Sequence, residues 1–150
     1  MQGLWSNVTL WVPVSAAFAV QLFKFFWEWT HHRTPDFRVL ARSGGMPSSH
    51  SAMMSSLATV VGYEYGLDSP LFAISTVVAV IVMYDARGVR QQSGEQAKVL
   101  NRIIREFFNG QPIGEKELIE LLGHTFIEVL VGAIVGIFYT LAYVAWIRPT

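Results

Sequence analysis

The chain contains no cysteine and little charge, and both shortages restrict what it can be. Without cysteine it has no disulfide framework, no thiolate metal site and no cysteine nucleophile. Charged residues make up 15% of the 150 residues, whereas a soluble domain usually carries about 25%. The net charge is zero, and nucleic-acid binders usually show a basic excess. We therefore expect neither a nucleic-acid partner nor an ordinary soluble domain.

Hydrophobic residues make up 52% of the chain, and many of them lie in long apolar segments. Segments 4–29 and 125–147 are long enough to cross a bilayer, which takes about 17–25 residues. Segments 47–66 and 69–88 reach that length only with their polar ends at the membrane interface. The first segment lacks the basic start and cleavage site of a secretory signal, so we expect it to remain as a helix. The predicted fold is an all-α integral-membrane bundle of about four transmembrane helices in a single domain.

The polar segment 91–122 separates the third and fourth predicted spans and also contains a helical pattern. Apolar residues recur in it at helical spacing: Val99, Leu100, Ile103, Ile104, Phe107 and Phe108. They predict an amphipathic surface helix that lies on the membrane or on the bundle, with a second short piece at 115–122. In the last span, Gly132 and Gly136 form a GxxxG pattern that allows close helix packing. These small residues are compatible with a homodimer.

Lysine and arginine outside the spans lie almost entirely in the two long loops, residues 30–46 and 85–123. The positive-inside rule predicts that both loops face the cytoplasm and that both termini face outward, and we expect a bacterial plasma membrane. Helix order then brings three polar motifs to one side of the membrane. They are Pro-Ser-Ser-His at 47–50, Asp-Ala-Arg-Gly-Val-Arg at 85–90 and His-Thr-Phe-Ile-Glu at 124–128. We therefore expect a site on that side of the bundle.

His124 and Glu128 are four residues apart, so they lie on one face of the predicted helix. A carboxylate that accepts a hydrogen bond from one ring nitrogen fixes the tautomer and leaves the other nitrogen free to attack. Glu128 is expected a full turn inside an apolar helix, where a carboxylate is costly unless it has a partner or a function. The alternative is an interfacial histidine beside a snorkelling glutamate, because such pairs are often structural.

The stretch 44–51 reads GGMPSSHS and combines glycines, hydroxyl groups and a helix start. Gly45 lets backbone amides approach an anion, and Ser48 and Ser49 add hydroxyl donors near the helix N-terminus. His50 is expected in the first helical turn, where it can protonate a leaving oxygen. The alternative is an ordinary serine cap on a helix.

Cationic side chains near these motifs are the candidates to bind a phosphate group. Arg87 and Arg90 flank a glycine just beyond the third span, with Asp85 beside them. Guanidinium groups match phosphate oxygens in a bidentate way, although positive-inside anchoring also accounts for both arginines. Lys24 lies inside the first span, where it either snorkels to the interface or reaches the site.

The motifs resemble those of the type 2 phosphatidic acid phosphatase superfamily. Residues 47–50 are similar to its Pro-Ser-Gly-His motif, with Ser49 in place of glycine. Residues 124–132 are similar to its third motif, in which a histidine is followed four residues later by an aspartate and then by a glycine. Over nearly the whole chain, the sequence looks closer to the small divergent branch of acid phosphatase and vanadium-haloperoxidase-related membrane proteins, through GGMPSSHSA, MYDARGVR and the HTxxEV stretch.

This resemblance implies roles for individual residues and a reaction without a metal or other cofactor. His124 would be the nucleophile that forms a phosphohistidine, and Glu128 would orient it in place of the aspartate. His50 would protonate the departing alkoxide, and Ser48 with the adjoining backbone would hold phosphate oxygens.

Two elements of the superfamily pattern are displaced or missing in this chain. Its first motif, a lysine followed by Arg-Pro, is matched only roughly by Lys24 and residues 33–35. The Ser-Arg that usually precedes the nucleophile is absent, so Arg87 or Arg90 is expected to supply that charge.

The expected function is that of an integral-membrane lipid phosphatase acting through a phosphohistidine. Its substrate would be the phosphate monoester or diphosphate headgroup of a phospholipid or isoprenoid, because helix starts lie at headgroup level. The alternative is a non-catalytic membrane protein that binds anionic lipid headgroups in an assembly or transport role. The hydropathy disfavours a soluble haloperoxidase.

Overall fold

Five α-helices form the computed structural model of the protein, which describes residues 3–33, 37, 45–107 and 124–147. A 3₁₀ turn, Leu4–Ser6, precedes the first helix. The helices are α1 (Val8–His32), α2 (Ser49–Tyr65), α3 (Pro70–Arg87), α4 (Val89–Phe107) and α5 (Phe126–Ile147). The described residues contain no strand, so the predicted all-α class is confirmed.

In the part of the chain that the structure describes, three segments are long and apolar enough to cross a membrane: Val8–His31, Pro70–Ile104 and Phe126–Ile147. They confirm the predicted membrane bundle. The second predicted span, α2, has 17 residues, at the lower end of the about 17–25 residues that a span takes. It lies at the centre of the bundle, where α1, α3 and α5 all pack against it.

Side-chain caps set the helix starts, which lie one to four residues later than the apolar runs predict. The Asn7 side chain accepts a hydrogen bond from the backbone N–H of Leu10 at 3.2 Å, so α1 begins at Val8. Ser48 and Ser69 cap α2 and α3 in the same way. Each cap residue keeps an extended backbone, so the helix starts only after it.

The two glycines of the GxxxG pattern lie where α5 approaches α2. A Cβ added at Gly132 would overlap the carbonyl oxygen of Ser48, and one at Gly136 would overlap that of Ala52. The predicted close packing is therefore confirmed, and it joins two helices of one bundle. These two glycines face α2, so the homodimer stays a prediction that needs a different contact face.

Helix α4 follows α3 after a single residue, Gly88. It confirms the predicted helix in segment 91–122, and its small residues Gly94 and Ala97 are buried. Four of its large apolar side chains are exposed: Val99, Leu100, Ile103 and Phe107. The second predicted piece, residues 115–122, lies outside the described residues.

Candidate active site

The starts of α2 and α5 and the end of α3 meet on one side of the bundle, linked by backbone hydrogen bonds. The N–H of His124 donates to the carbonyl of Ala86 at 3.2 Å. The N–H of Ser48 donates to the carbonyl of Glu128 at 3.1 Å. The structure thus brings the three polar motifs together, as the helix order predicts.

The side chain of His124 is held by Glu128. His124 is buried, with 2% of its surface exposed, and its Nδ1 lies 2.9 Å from Oε2 of Glu128. Because a carboxylate can only accept a hydrogen bond, Nδ1 carries the proton and donates it to Oε2. A neutral ring in this tautomer keeps a lone pair on Nε2, which is the atom that can attack an electrophile. The geometry suits a nucleophile, and that role stays a prediction.

Glu128 also belongs to a capping box at the start of α5. The Oγ1 of Thr125 accepts from the N–H of Glu128 at 3.3 Å, and Oε2 of Glu128 accepts from the N–H of Thr125 at 3.2 Å. Glu128 therefore lies in the first turn of the helix and not a full turn inside it, because α5 begins only at Phe126. Sequence reasoning missed Thr125, although Thr-x-x-Glu ahead of an apolar run is the capping-box signature.

One carboxylate oxygen of Glu128 thus accepts from two donors, the imidazole Nδ1–H and the backbone N–H of Thr125. Glu128 therefore has a structural role, as part of the helix cap, and a contact that orients His124. The helix cap fixes the carboxylate, and the fixed carboxylate in turn orients the ring of His124. Such support by a second group is what holds a reactive side chain in a productive geometry.

Replacing Thr125 with alanine should lower the free energy of unfolding by about 1 kcal/mol, because the first turn of α5 loses its side-chain cap. Thr125→Ser keeps the hydroxyl and should remain close to wild type. Thermal unfolding of the purified protein in detergent measures both. Equal Tm values for the alanine and serine variants would show that the hydroxyl does not cap the helix.

The start of α2 provides the second half of the site. Ser48 is fully buried, and its Oγ accepts from the N–H of Ser51 at 3.4 Å, so the serine cap considered above is observed. Ser49 and His50 are the first two helical residues, the former buried and the latter half-buried. Gly45 has φ +76°, a left-handed backbone that favours glycine.

Lys24 reaches the site from α1. It is buried, with 7% of its surface exposed, so it points between the helices and not out to the interface. A Cβ added at Gly45 would lie 3.9 Å from its Cδ, which places the lysine stem beside the loop before α2. Its ammonium group is attracted electrostatically by the carboxylates of Glu128 and Glu28. Lys24 is therefore a buried basic residue on the same side of the bundle as Glu128.

Arg87 lies at the exposed edge of the site, at the end of α3. Its guanidinium carbon is 5.2 Å from the centroid of the Phe126 ring, within cation–π range. Asp85, two residues earlier on α3, is half-buried. Arg90 lies on α4, and its side chain is outside the described part of the chain. Phe126 was not a sequence candidate, because an aromatic residue at a helix start is ordinary in membrane proteins.

Several groups on this side of the bundle can attract an anion. Lys24 and Arg87 carry positive charge, and the N-termini of α2 and α5 add the positive ends of two helix dipoles. Among the described residues, no group of three or more His, Asp or Glu side chains is placed to hold a metal ion. Phosphate binding here would thus depend on amides, hydroxyls and cationic side chains, and a reaction without a metal stays a prediction.

Similar proteins are found over nearly the whole length of the chain. Residues 5–139 match the family described as "Divergent PAP2 family". The chain is 40% identical over 149 aligned residues to the uncharacterized membrane protein YuiD of Bacillus subtilis (strain 168), covering 92% of this chain and 94% of that protein. No solved structure matches the chain.

Proposed function

The chain belongs to the divergent PAP2 family, and on that premise we propose that it is an integral-membrane lipid phosphatase. It would hydrolyse the phosphate monoester or diphosphate headgroup of a phospholipid or isoprenoid through a phosphohistidine intermediate. The observation that carries this proposal is the 2.9 Å hydrogen bond between Nδ1 of His124 and Glu128. It gives the ring the tautomer that a nucleophilic histidine needs.

The first proposed step is attack of Nε2 of His124 on the phosphorus atom. The bond from phosphorus to the lipid oxygen breaks, and His50 donates a proton to that oxygen, so the lipid alcohol leaves. The Nδ1–H of the phosphorylated ring keeps its hydrogen bond to Glu128, whose negative charge stabilises the positive ring.

In the second proposed step, water attacks the phosphohistidine. His50, now deprotonated, accepts a proton from the water, the bond from phosphorus to Nε2 breaks, and inorganic phosphate leaves. Lys24, Arg87 and the amides at the start of α2 would neutralise charge on the phosphate oxygens, since phosphoryl transfer depends mainly on positioning and electrostatics.

The substrate is proposed to be a lipid because the site lies at the ends of membrane helices, at headgroup level. Phosphatidic acid, phosphatidylglycerol phosphate and polyprenyl diphosphates present the required phosphate there. The positive-inside rule places both long loops, and with them the site, on the cytoplasmic face of a bacterial plasma membrane, with both termini outside.

Trapping of the intermediate tests this proposal. Purified protein is mixed with phosphatidic acid radiolabelled in its phosphate, quenched in alkali and digested, and the labelled peptide is identified. We expect an acid-labile, alkali-stable label on the peptide containing His124. Steady-state turnover of the lipid without any labelled peptide, or a label on another residue, would contradict the phosphohistidine at His124.

The role of His50 predicts a dependence on the leaving group. His50→Ala should slow the release of phosphate from alkyl phosphates by about 10²-fold or more, because the alkoxide must be protonated as it leaves. It should slow p-nitrophenyl phosphate much less, since nitrophenolate leaves without a proton. Rates for both substrates in wild type and variant measure this difference. An equal loss on both substrates would show that His50 does not act as the acid.

A further inference from the structure

A lateral groove of about 590 Å³ runs between α3 and α5. It exists because both helices pack closely on α2 while contacting each other little. Its volume lies within the roughly 300–1,000 Å³ of ligand sites. The floor consists of small α2 residues, and the walls come from α3 and α5. Representative lining residues are Ala58 and Gly62 on the floor, Ala79 and Met83 on one wall, and Ala133 and Ile137 on the other.

The length and the lining of the groove restrict its occupant. On α5 it extends from Ala133 to Val144, which is a length of roughly 16 Å along a helix. None of the described residues that line it is charged, which suits a hydrocarbon chain.

One end of the groove lies close to the candidate active site. Met83 is one helical turn before Arg87, and Ala133 is five residues after Glu128. At the far end Leu67 and Phe72 pack against Gly62, where an added Cβ would lie 2.9 Å from Cδ2 of Leu67 and 3.0 Å from a ring carbon of Phe72. A lipid whose phosphate lies at the site can therefore extend a chain from Met83 toward Gly62, along the membrane normal.

We propose that this groove binds one acyl chain of the phospholipid whose phosphate lies beside His124, an assignment that rests on the proposed function. The substrate then enters sideways from the bilayer, and its second chain stays among the surrounding lipids. A long polyprenyl chain would extend far beyond the far end of the groove, so an acyl chain is the better match in length.

A pair of tryptophan variants on α5 tests the groove. Ile137 lines it and is 40% exposed, so Ile137→Trp fills the space from an accessible position. Ala142 is exposed on the same helix and does not line the groove, so Ala142→Trp is the matched control. Phosphate release is measured with long-chain phosphatidic acid and with p-nitrophenyl phosphate, which has no chain.

We expect Ile137→Trp to raise the KM for long-chain phosphatidic acid by about 10-fold or more, because the chain loses its burial. Its KM for p-nitrophenyl phosphate should stay that of wild type, and Ala142→Trp should leave both values unchanged. An unchanged KM of Ile137→Trp for the long-chain lipid would overturn the proposal. So would an equal rise for both substrates, which shows damage to the site instead of loss of chain binding.

Photocrosslinking distinguishes an error in the groove assignment from an error in the proposed function. Purified protein is irradiated with a phosphatidic acid that carries a diazirine in its acyl chain, and crosslinked peptides are mapped. Crosslinks to groove residues that disappear in Ile137→Trp and persist in Ala142→Trp support the groove even if no phosphate is released. Crosslinks elsewhere only, or stronger labelling of the groove by a diazirine polyprenyl phosphate, overturn the assignment to an acyl chain even in an active enzyme.

Discussion

Replacing His124 with alanine should reduce phosphate release from lipid phosphates by roughly 10³-fold or more. The variant keeps Lys24, Arg87 and the helix N-termini, so it can still bind an anion. It has no side chain that can form the covalent intermediate, and the two-step route is lost. His124 contacts Glu128 through its ring, and the backbone bond to Ala86 does not depend on the side chain, so we expect the fold to persist.

The matched control is His31→Ala. His31 is exposed in the last turn of α1, and its Nδ1 lies 3.0 Å from the carbonyl oxygen of Trp27 in its own helix. Its replacement should leave turnover unchanged. The measurement is phosphate release by purified protein in detergent, over a panel of phosphatidic acid, phosphatidylglycerol phosphate and a polyprenyl diphosphate.

Two outcomes of this experiment would contradict the catalytic proposal. Equal release by wild type and His124→Ala would mean that the observed activity does not come from this site. No release by wild type, combined with binding of anionic vesicles that survives His124→Ala, would favour a protein that binds lipid headgroups without turnover.

Helix positions follow largely from the sequence. In lipid the backbone N–H and C=O groups must be hydrogen-bonded to each other, so a long apolar run predicts a helix. The starts of the helices do not follow from hydropathy, since they depend on single side chains such as Asn7 and Ser48. The central position of α2 also depends on tertiary packing. Its small residues let α1, α3 and α5 pack closely against it.

The candidate site was partly predictable for a topological reason. Helix order alone puts the starts of α2 and α5 beside the end of α3, so the meeting of Ser48, Ala86 and Glu128 needs no knowledge of side chains. The spacing of His124 and Glu128 likewise predicts their contact. The capping role of Glu128 also follows from the local sequence, because residues 125–128 read Thr-x-x-Glu.

Other parts of the site depend on tertiary contacts that a linear sequence does not contain. Whether Lys24 snorkels or turns inward is decided by how α1 packs beside the loop at Gly45. The stacking of Arg87 on Phe126 joins two helices that are distant in the chain. The groove between α3 and α5 results from helix spacing, which composition alone does not predict.

Replacing Gly136 with alanine should destabilise the protein, although alanine is the better helix former by about 1 kcal/mol. A Cβ at this position would overlap the carbonyl oxygen of Ala52 and the Oγ of Ser55. Backbone atoms cannot rotate away, so α5 must move off α2 and weaken the buried 2.7 Å hydrogen bond between Ser56 and Thr140. Overpacking of this kind usually costs about 1–3 kcal/mol, enough to outweigh the gain in helix propensity.

The sign of the change in Tm therefore shows whether the gain in helix propensity or the loss of packing between α2 and α5 is larger. Gly3→Ala is the control, because an added Cβ there has no atom within 4 Å, and its Tm should match wild type. A Tm of Gly136→Ala at or above that of wild type would show that α2 and α5 do not approach as closely as the contact between Gly136 and Ala52 indicates. Ser48 is held against Glu128 by the same helix contact. The destabilised variant should therefore also lose phosphate release below its unfolding temperature, since both halves of the site separate together.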